Sequence, residues 1–98
     1  QQDADSRYDM GRIAEVAGAL PVAQEQADTI LAQHPNHLLG LILAISTADD
    51  AGDKATARRM QQRLLAAQGT ELATNAPEYR QHQNEIVAAV EQARKDVR

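Results

Sequence analysis

The side chains that could do chemistry are few and scattered. His34, His37 and His82 are the three imidazoles of a 98-residue chain. His34 and His37 flank Pro35 and Asn36, the pattern of a turn between two elements, and His82 stands far along the chain. A zinc site needs three or four ligands at characteristic spacing, and no HExxH run provides them. Asp49, Asp50 and Asp53 suggest a calcium loop, but the run of oxygen ligands closed by a glutamate is missing, so turn and helix-capping duty is expected. There is no cysteine, which removes thiol nucleophiles, disulfides and cysteine-ligated zinc. A Gly-rich phosphate loop and a GxSxG turn are also absent. The expectation is a protein that is not an enzyme and holds no metal or cofactor. One polar group remains, Arg12 with Tyr8 and Glu15, spaced to share one helix face. It reads either as a surface ion pair worth little or as an anchor for an acidic or C-terminal group of a peptide.

The elements that must carry these residues are helical. The chain has no Phe and no Trp, and Tyr8 and Tyr79 are its aromatics. Ala and Leu supply most of the apolar material. Small residues at recurrent positions let helices approach closely, whereas the β-branched and aromatic runs of strands are missing. The length suits one domain with a single core. A formal net charge of −4 argues against nucleic-acid binding, which needs a concentrated basic patch. The late Arg94, Lys95 and Arg98 complement the dipole of a terminal helix. The longest apolar run, Leu38 to Ile45, falls far short of the ~20 residues of a membrane span. A chain that starts at Gln1 without an initiator Met is what a mature or excised piece would show, so compartment stays open between cytoplasm and periplasm.

Punctuation along the chain divides it into helices. Residues 1–4 are polar and read as frayed. Asp5 or Ser6 caps a first helix that runs to about Ala17 and ends at Gly18. Pro21 opens a second helix, which stops at His34-Pro35. Asn36 caps a third, from about His37 to Ala51, and Gly52 ends it as Gly18 ended the first. Asp53 caps a fourth, which continues past Gly69 to about Ala73. After the break at Thr74-Asn75-Ala76, Pro77 opens a last helix to about residue 97. Its inner stripe is Tyr79, Gln83, Ile86, Val90, Ala93 and Val97, and its other face is polar.

A self-match runs through the first four helices at an offset of 34 residues. Ala14, Ala17, Gly18, Ala23, Leu31 and Ala32 recur as Ala48, Ala51, Gly52, Ala57, Leu65 and Ala66, and such a period marks stacked repeats. The pattern resembles the tetratricopeptide repeat, with a first unit over about 4–37, a second over about 38–71 and a capping helix over about 77–97. In the first unit Gly11, Ala14, Gly18, Ala23, Ala27, Ile30 and Pro35 fall at the family's signature positions. In the second, Ala44, Ala48, Gly52, Ala57, Leu64 and Gly69 do. The family's usual Trp is Arg7 and then Leu41, its Tyr is Ala14 and then Ala48, and its Phe is Ala27 and then Gln61. Close alanine packing must therefore replace the aromatic core. The fold class expected is all-α, two helix-turn-helix repeats with a solvating C-terminal helix, a fragment of a right-handed α-solenoid.

Members of that family bind peptides or partner helices in a groove lined by the first helix of each unit. The resemblance implies a groove here of Asp5, Tyr8, Arg12 and Glu15, then Leu39, Ile42, Ser46 and Asp49. The Lys, Asn and Arg set with which one subgroup holds chaperone tails is replaced by Tyr8, Arg12, Ile42 and Ser46, so that ligand is not expected. The third helix is apolar around most of its circumference, and such a helix is normally buried all round. Leu39, Ile42 and Leu43 exceed what two neighbouring hairpins would cover. Either the C-terminal helix folds back over them or they form an exposed patch for a partner. The expected function is protein–protein interaction through this groove, with a protein or peptide partner. The alternatives are self-association through the same patch and an excised domain of a bacterial membrane-anchored or periplasmic assembly factor.

Overall fold

A computed structural model describes residues 3–98; Gln1 and Gln2, part of the stretch expected to fray, lie outside the described residues. The protein is all-α. Its helices are α1 (Ala4–Val16), α2 (Leu20–Gln33), α3 (Leu38–Asp50), α4 (Lys54–Ala73), α5 (Pro77–Gln81) and α6 (Gln83–Asp96). The N-cap of α1 is Asp3, two residues before the expected cap, and its carboxylate accepts the Ser6 N–H at 2.8 Å. Earlier capping is favoured because Asp5 then sits in the first turn, where the helix dipole welcomes an anion. The cap of α3 is His37 rather than Asn36: its Nδ1 accepts the Leu39 N–H. Asp53 caps α4 through the Thr56 N–H.

The two hairpins close with the same turn. Gly18 and Gly52 adopt φ of +78° and +74°, a conformation that favours glycine. In the first, the Gly18 N–H reaches the Glu15 carbonyl and the Ala19 N–H reaches that of Ala14; in the second, Gly52 reaches Asp49 and Asp53 reaches Ala48. These bonds satisfy carbonyls that a helix end leaves unpaired. Gly69 lies inside α4, which runs to Ala73.

Helix α3 is the centre. It packs on α1, α2, α4 and α6, and Leu38, Leu39, Gly40, Leu41, Ile42 and Leu43 are all buried. Gly40 sits so close to α2 that a Cβ there would stand 2.7 Å from Ile30 Cγ2 and 2.9 Å from Leu31 Cδ2. Gly11 faces Leu43 as closely. A missing side chain at each crossing sets the helix spacing.

The C-terminal element is two helices, not one. His82 interrupts it at φ −110°, ψ 27°, yet the buried stripe keeps its phase across the break. Tyr79, Ile86, Val90 and Ala93 are buried, whereas Gln83, expected in the stripe, is exposed.

Candidate interaction face and its cover

The expected groove residues come together on one face of α1 and α3; α6 packs chiefly on α4 and also on α3, and with α5 it closes one side of this face. Tyr8 is 1% exposed; its hydroxyl donates to the Glu85 carboxylate, and its ring meets the His82 imidazole edge-on at 5.0 Å. Leu39 and Leu43 have no exposed surface and Ile42 is nearly covered. They join Tyr8, Tyr79, Ile86, Val90 and Ala93 in one buried cluster. Of the two alternatives for Leu39, Ile42 and Leu43, a C-terminal helix folded back over them or an exposed patch, the burial fits the first, and no open apolar patch of these three is on the surface. Leu43 packs against Gly11 of α1, and the amphipathic stripe of α5–α6 joins the same cluster, removing that area from water at roughly 25 cal/mol per Å².

What stays accessible is polar. Arg12 reaches across from α1 to α3, donating to Ser46 Oγ at 2.9 Å and to Glu15 Oε1 at 3.0 Å. The Ser46 hydroxyl donates to Glu15 Oε2 at 2.6 Å. Arg12 also stands 5.9 Å from the Tyr8 ring centre, within cation–π range. Burial and the neighbouring Asp50 push the Glu15 carboxyl above its ordinary range. Asp49 is exposed and pairs with Lys54 at 3.6 Å. A cleft of about 170 Å³ between α3 and α6, lined by Ile42, Ile45, Ser46, Asp49, Gln61, Ala89 and Gln92, is the remnant of the groove.

The cover is tied down by groups that local spacing does not flag. The buried Tyr79 hydroxyl accepts the Leu38 N–H at 3.1 Å and donates to Glu71 Oε1 at 2.6 Å. His37 Nε2 meets Glu78 at 3.0 Å and His34 Nε2 meets Glu71 at 3.2 Å. His82 Nε2 meets Asp5 at 2.7 Å, and its Nδ1 meets Glu85 at 2.9 Å. At the far end, Gln61 donates to Asp96 at 2.8 Å and Arg58 approaches the same carboxylate at 3.5 Å. His82–Glu85 and Tyr79–Glu71 are close in sequence and His34–Glu71 braces α2 against α4, whereas the other pairs join the cover to residues far away in sequence. The one forward signal was Tyr79 on the inner stripe.

The electrostatics follow from these pairs. Burial opposes ionisation of Glu71, but bonds from Tyr79 and His34 outweigh it and hold the carboxyl below its ordinary range. Glu78 is lowered in the same way, burial being outweighed by His37. Burial alone would lower the His82 pKa; Glu85 and Asp5 outweigh it and raise it. Burial, reinforced by Glu85 and Glu71 respectively, pushes the Tyr8 and Tyr79 hydroxyls well above the usual phenol range.

Compared with known proteins, the chain matches no family model, no curated protein and no solved structure. Its chemistry must be read from its own surfaces. No helix among the described residues is long and apolar enough to cross a membrane. The arrangement can hold an amphipathic helix: an apolar seam in the middle, a hydroxyl-capped backbone N–H at one end and carboxylate pairs along the rim.

Proposed function

We propose that the chain is a protein–protein interaction module of tetratricopeptide-like hairpins that binds an amphipathic helix on the α1–α3 face, and that its own α5–α6 occupies this face in cis. The role is one of binding, not catalysis. The observation that supports it is the mode of closure. The seam is built from Tyr79, Ile86, Val90 and Ala93, a stripe any partner helix could reproduce. At its far end the rim is held by the part-exposed ion pair Arg58–Asp96, and such a pair contributes little in water. A cover of that kind can be displaced by a helix with a better stripe.

The test uses the full chain and a labelled synthetic peptide of residues 77–97. Val90→Asp places a charge in the seam and releases α6. The Val90→Asp chain is expected to bind the peptide at least about tenfold more tightly than the wild type, about 1.4 kcal/mol. Circular dichroism reports whether α1 to α4 persist. Equal binding by two folded chains overturns the reading.

A second reading is self-association by exchange of α5–α6 between two copies. It is favoured by the hinge: Thr74 to Ala76 is short, and Asn75 sits at φ 57°. Short, strained connections invite such swaps. Sedimentation at several concentrations separates the two, since a strict monomer leaves only binding to another chain.

A further inference from the structure

We propose that Asp5, Asp9 and His82 form a binding site for a divalent transition-metal ion of the zinc class. Among the described residues, these three bring their ligand atoms within 4.8 Å of one another. The donors come from two elements: Asp5 and Asp9 stand one turn apart on α1, and His82 is the break between α5 and α6. Zinc takes imidazole nitrogen and carboxylate oxygen at about 2.0–2.2 Å, so the edge of its coordination tetrahedron is roughly 3.3 Å. His82 Nε2 lies 2.7 Å from Asp5 Oδ1 and 3.7 Å from Asp9 Oδ1, values that bracket that edge. Side-chain rotation of the two aspartates about the fixed imidazole would seat an ion between the three atoms, which already lie within 4.8 Å of one another.

Charge and proton count favour an ion there. One imidazole faces three carboxylates, those of Asp5, Asp9 and Glu85. Arg12, beside Tyr8, is engaged by Glu15 and Ser46, and Arg80 donates to the Asn75 carbonyl. Nε2 carries at most one proton, which serves Asp5 and leaves Asp9 beyond hydrogen-bonding reach. A divalent ion replaces that proton and serves both carboxylates at once. The other ring nitrogen is already placed: Nδ1 stands 2.9 Å from Glu85 Oε1, and a metal-bound histidine typically donates its second N–H to such a carboxylate. Glu85 is itself held by the Tyr8 hydroxyl. A nitrogen ligand and only two coordinating carboxylates suit zinc and its neighbours better than calcium or magnesium, which prefer all-oxygen cages. Asp9 is half exposed, leaving room for water as a fourth ligand. A bound ion would clamp α1 to the root of α6.

The site stands independently of the helix-binding reading, and so does its test. Titration calorimetry of the full chain with Zn²⁺ alone is expected to give one ion per chain, with a raised thermal midpoint. Asp9→Asn, at an exposed position that leaves the metal-free fold in place, is expected to raise Kd about tenfold. His82→Gln is expected to raise it further, and Glu85→Gln by 10- to 100-fold, the usual effect of losing an outer-shell partner. The absence of saturable one-to-one binding overturns the site. So does zinc binding that survives both Asp9→Asn and His82→Gln unchanged, or that is lost on replacing His34 and His37 instead.

Discussion

The α2–α3 crossing and the crossing between α3 and the α5–α6 cover are built on opposite principles. At the first, Gly40 lets Ile30 and Leu31 sit directly on the α3 backbone, and the contact is dry and apolar. At the second, an apolar seam is rimmed by Tyr79, His37, Glu78, His82 and Asp5, most of them hydrogen-bonded in pairs. Dry close packing has no partial state, because any gap forfeits contacts that water cannot replace. A polar rim can exchange its partners for water one pair at a time. The hairpins should therefore behave as one cooperative unit, and the cover as a separable one.

The largest effect that can break this contrast comes from truncating each side. Leu41→Ala, at a fully buried position of α3, is expected to cost about 2–5 kcal/mol. It should lower the urea midpoint of every amide together. Ile86→Ala, in the cover, removes comparable volume. Its expected signature is different: hydrogen exchange in α5–α6 quickens while α1 to α4 stay protected. If both substitutions accelerate exchange uniformly, the molecule is a single unit and the cover is not separable.

A smaller effect sharpens the description of the rim. Tyr79→Phe deletes a hydroxyl that the buried Leu38 N–H depends on, and an unsatisfied buried donor costs about 1–3 kcal/mol. Tyr8→Phe deletes a hydroxyl whose partner, the Glu85 carboxylate, is nearly half exposed and can turn to water. Chemical denaturation should rank Tyr79→Phe as the more damaging of the two. The reverse order would mean that the Glu85 end of the cover, not the Glu71 end, holds it.

Acid should act on the same rim. The Glu71 and Glu78 carboxyls are held below their unfolded range, burial notwithstanding, by Tyr79, His34 and His37. A depressed carboxyl adds stability above its unfolded pKa and loses it as pH falls through the folded one. Stability is thus expected to decline as pH drops from about 4.5, the ordinary glutamate region. Glu71→Gln should flatten that decline while lowering stability at neutral pH, read as urea midpoints across pH 2–7.

How much of this was legible beforehand depended on range in sequence. Helix ends follow from single residues whose effect is local. Gly18, Gly52, Asp53, Pro35 and Pro77 each act on their own turn, and each marks a boundary where expected. The break at His82 was hidden because spacings of three, four and seven run unbroken from Tyr79 to Val97. Nothing local distinguishes one helix from two that share the same stripe on either side of a break. The apolar circumference of α3 correctly signals burial all round, but a stripe covered in cis and one covered by a partner leave the same pattern. The His82 cluster could not be foreseen, since its aspartates stand more than seventy positions away and only the tertiary fold brings them close. Gln61, at a position where the resembled family carries Phe, is buried yet satisfied by Arg58 and Asp96, a polar solution that depends on α6 being present.

The smallest effect tests whether glycine at a helix crossing differs from glycine on a helix surface. A Cβ on Gly69 would meet nothing within 4 Å, and the residue lies inside the exposed side of α4. Ala there gains helix propensity and restricts the unfolded chain, so Gly69→Ala is expected to stabilise by about 0.5–1 kcal/mol. At Gly11 the same change gains the same propensity but drives a methyl group into Leu43, and overpacking costs about 1–3 kcal/mol. Gly11→Ala should therefore be neutral to destabilising. Thermal midpoints of the two variants, opposite in sign, would show that close approach at the α1–α3 crossing requires glycine. Equal gains would mean that Leu43 has room to move and that the dry crossing is less rigid than its counterpart at Gly40.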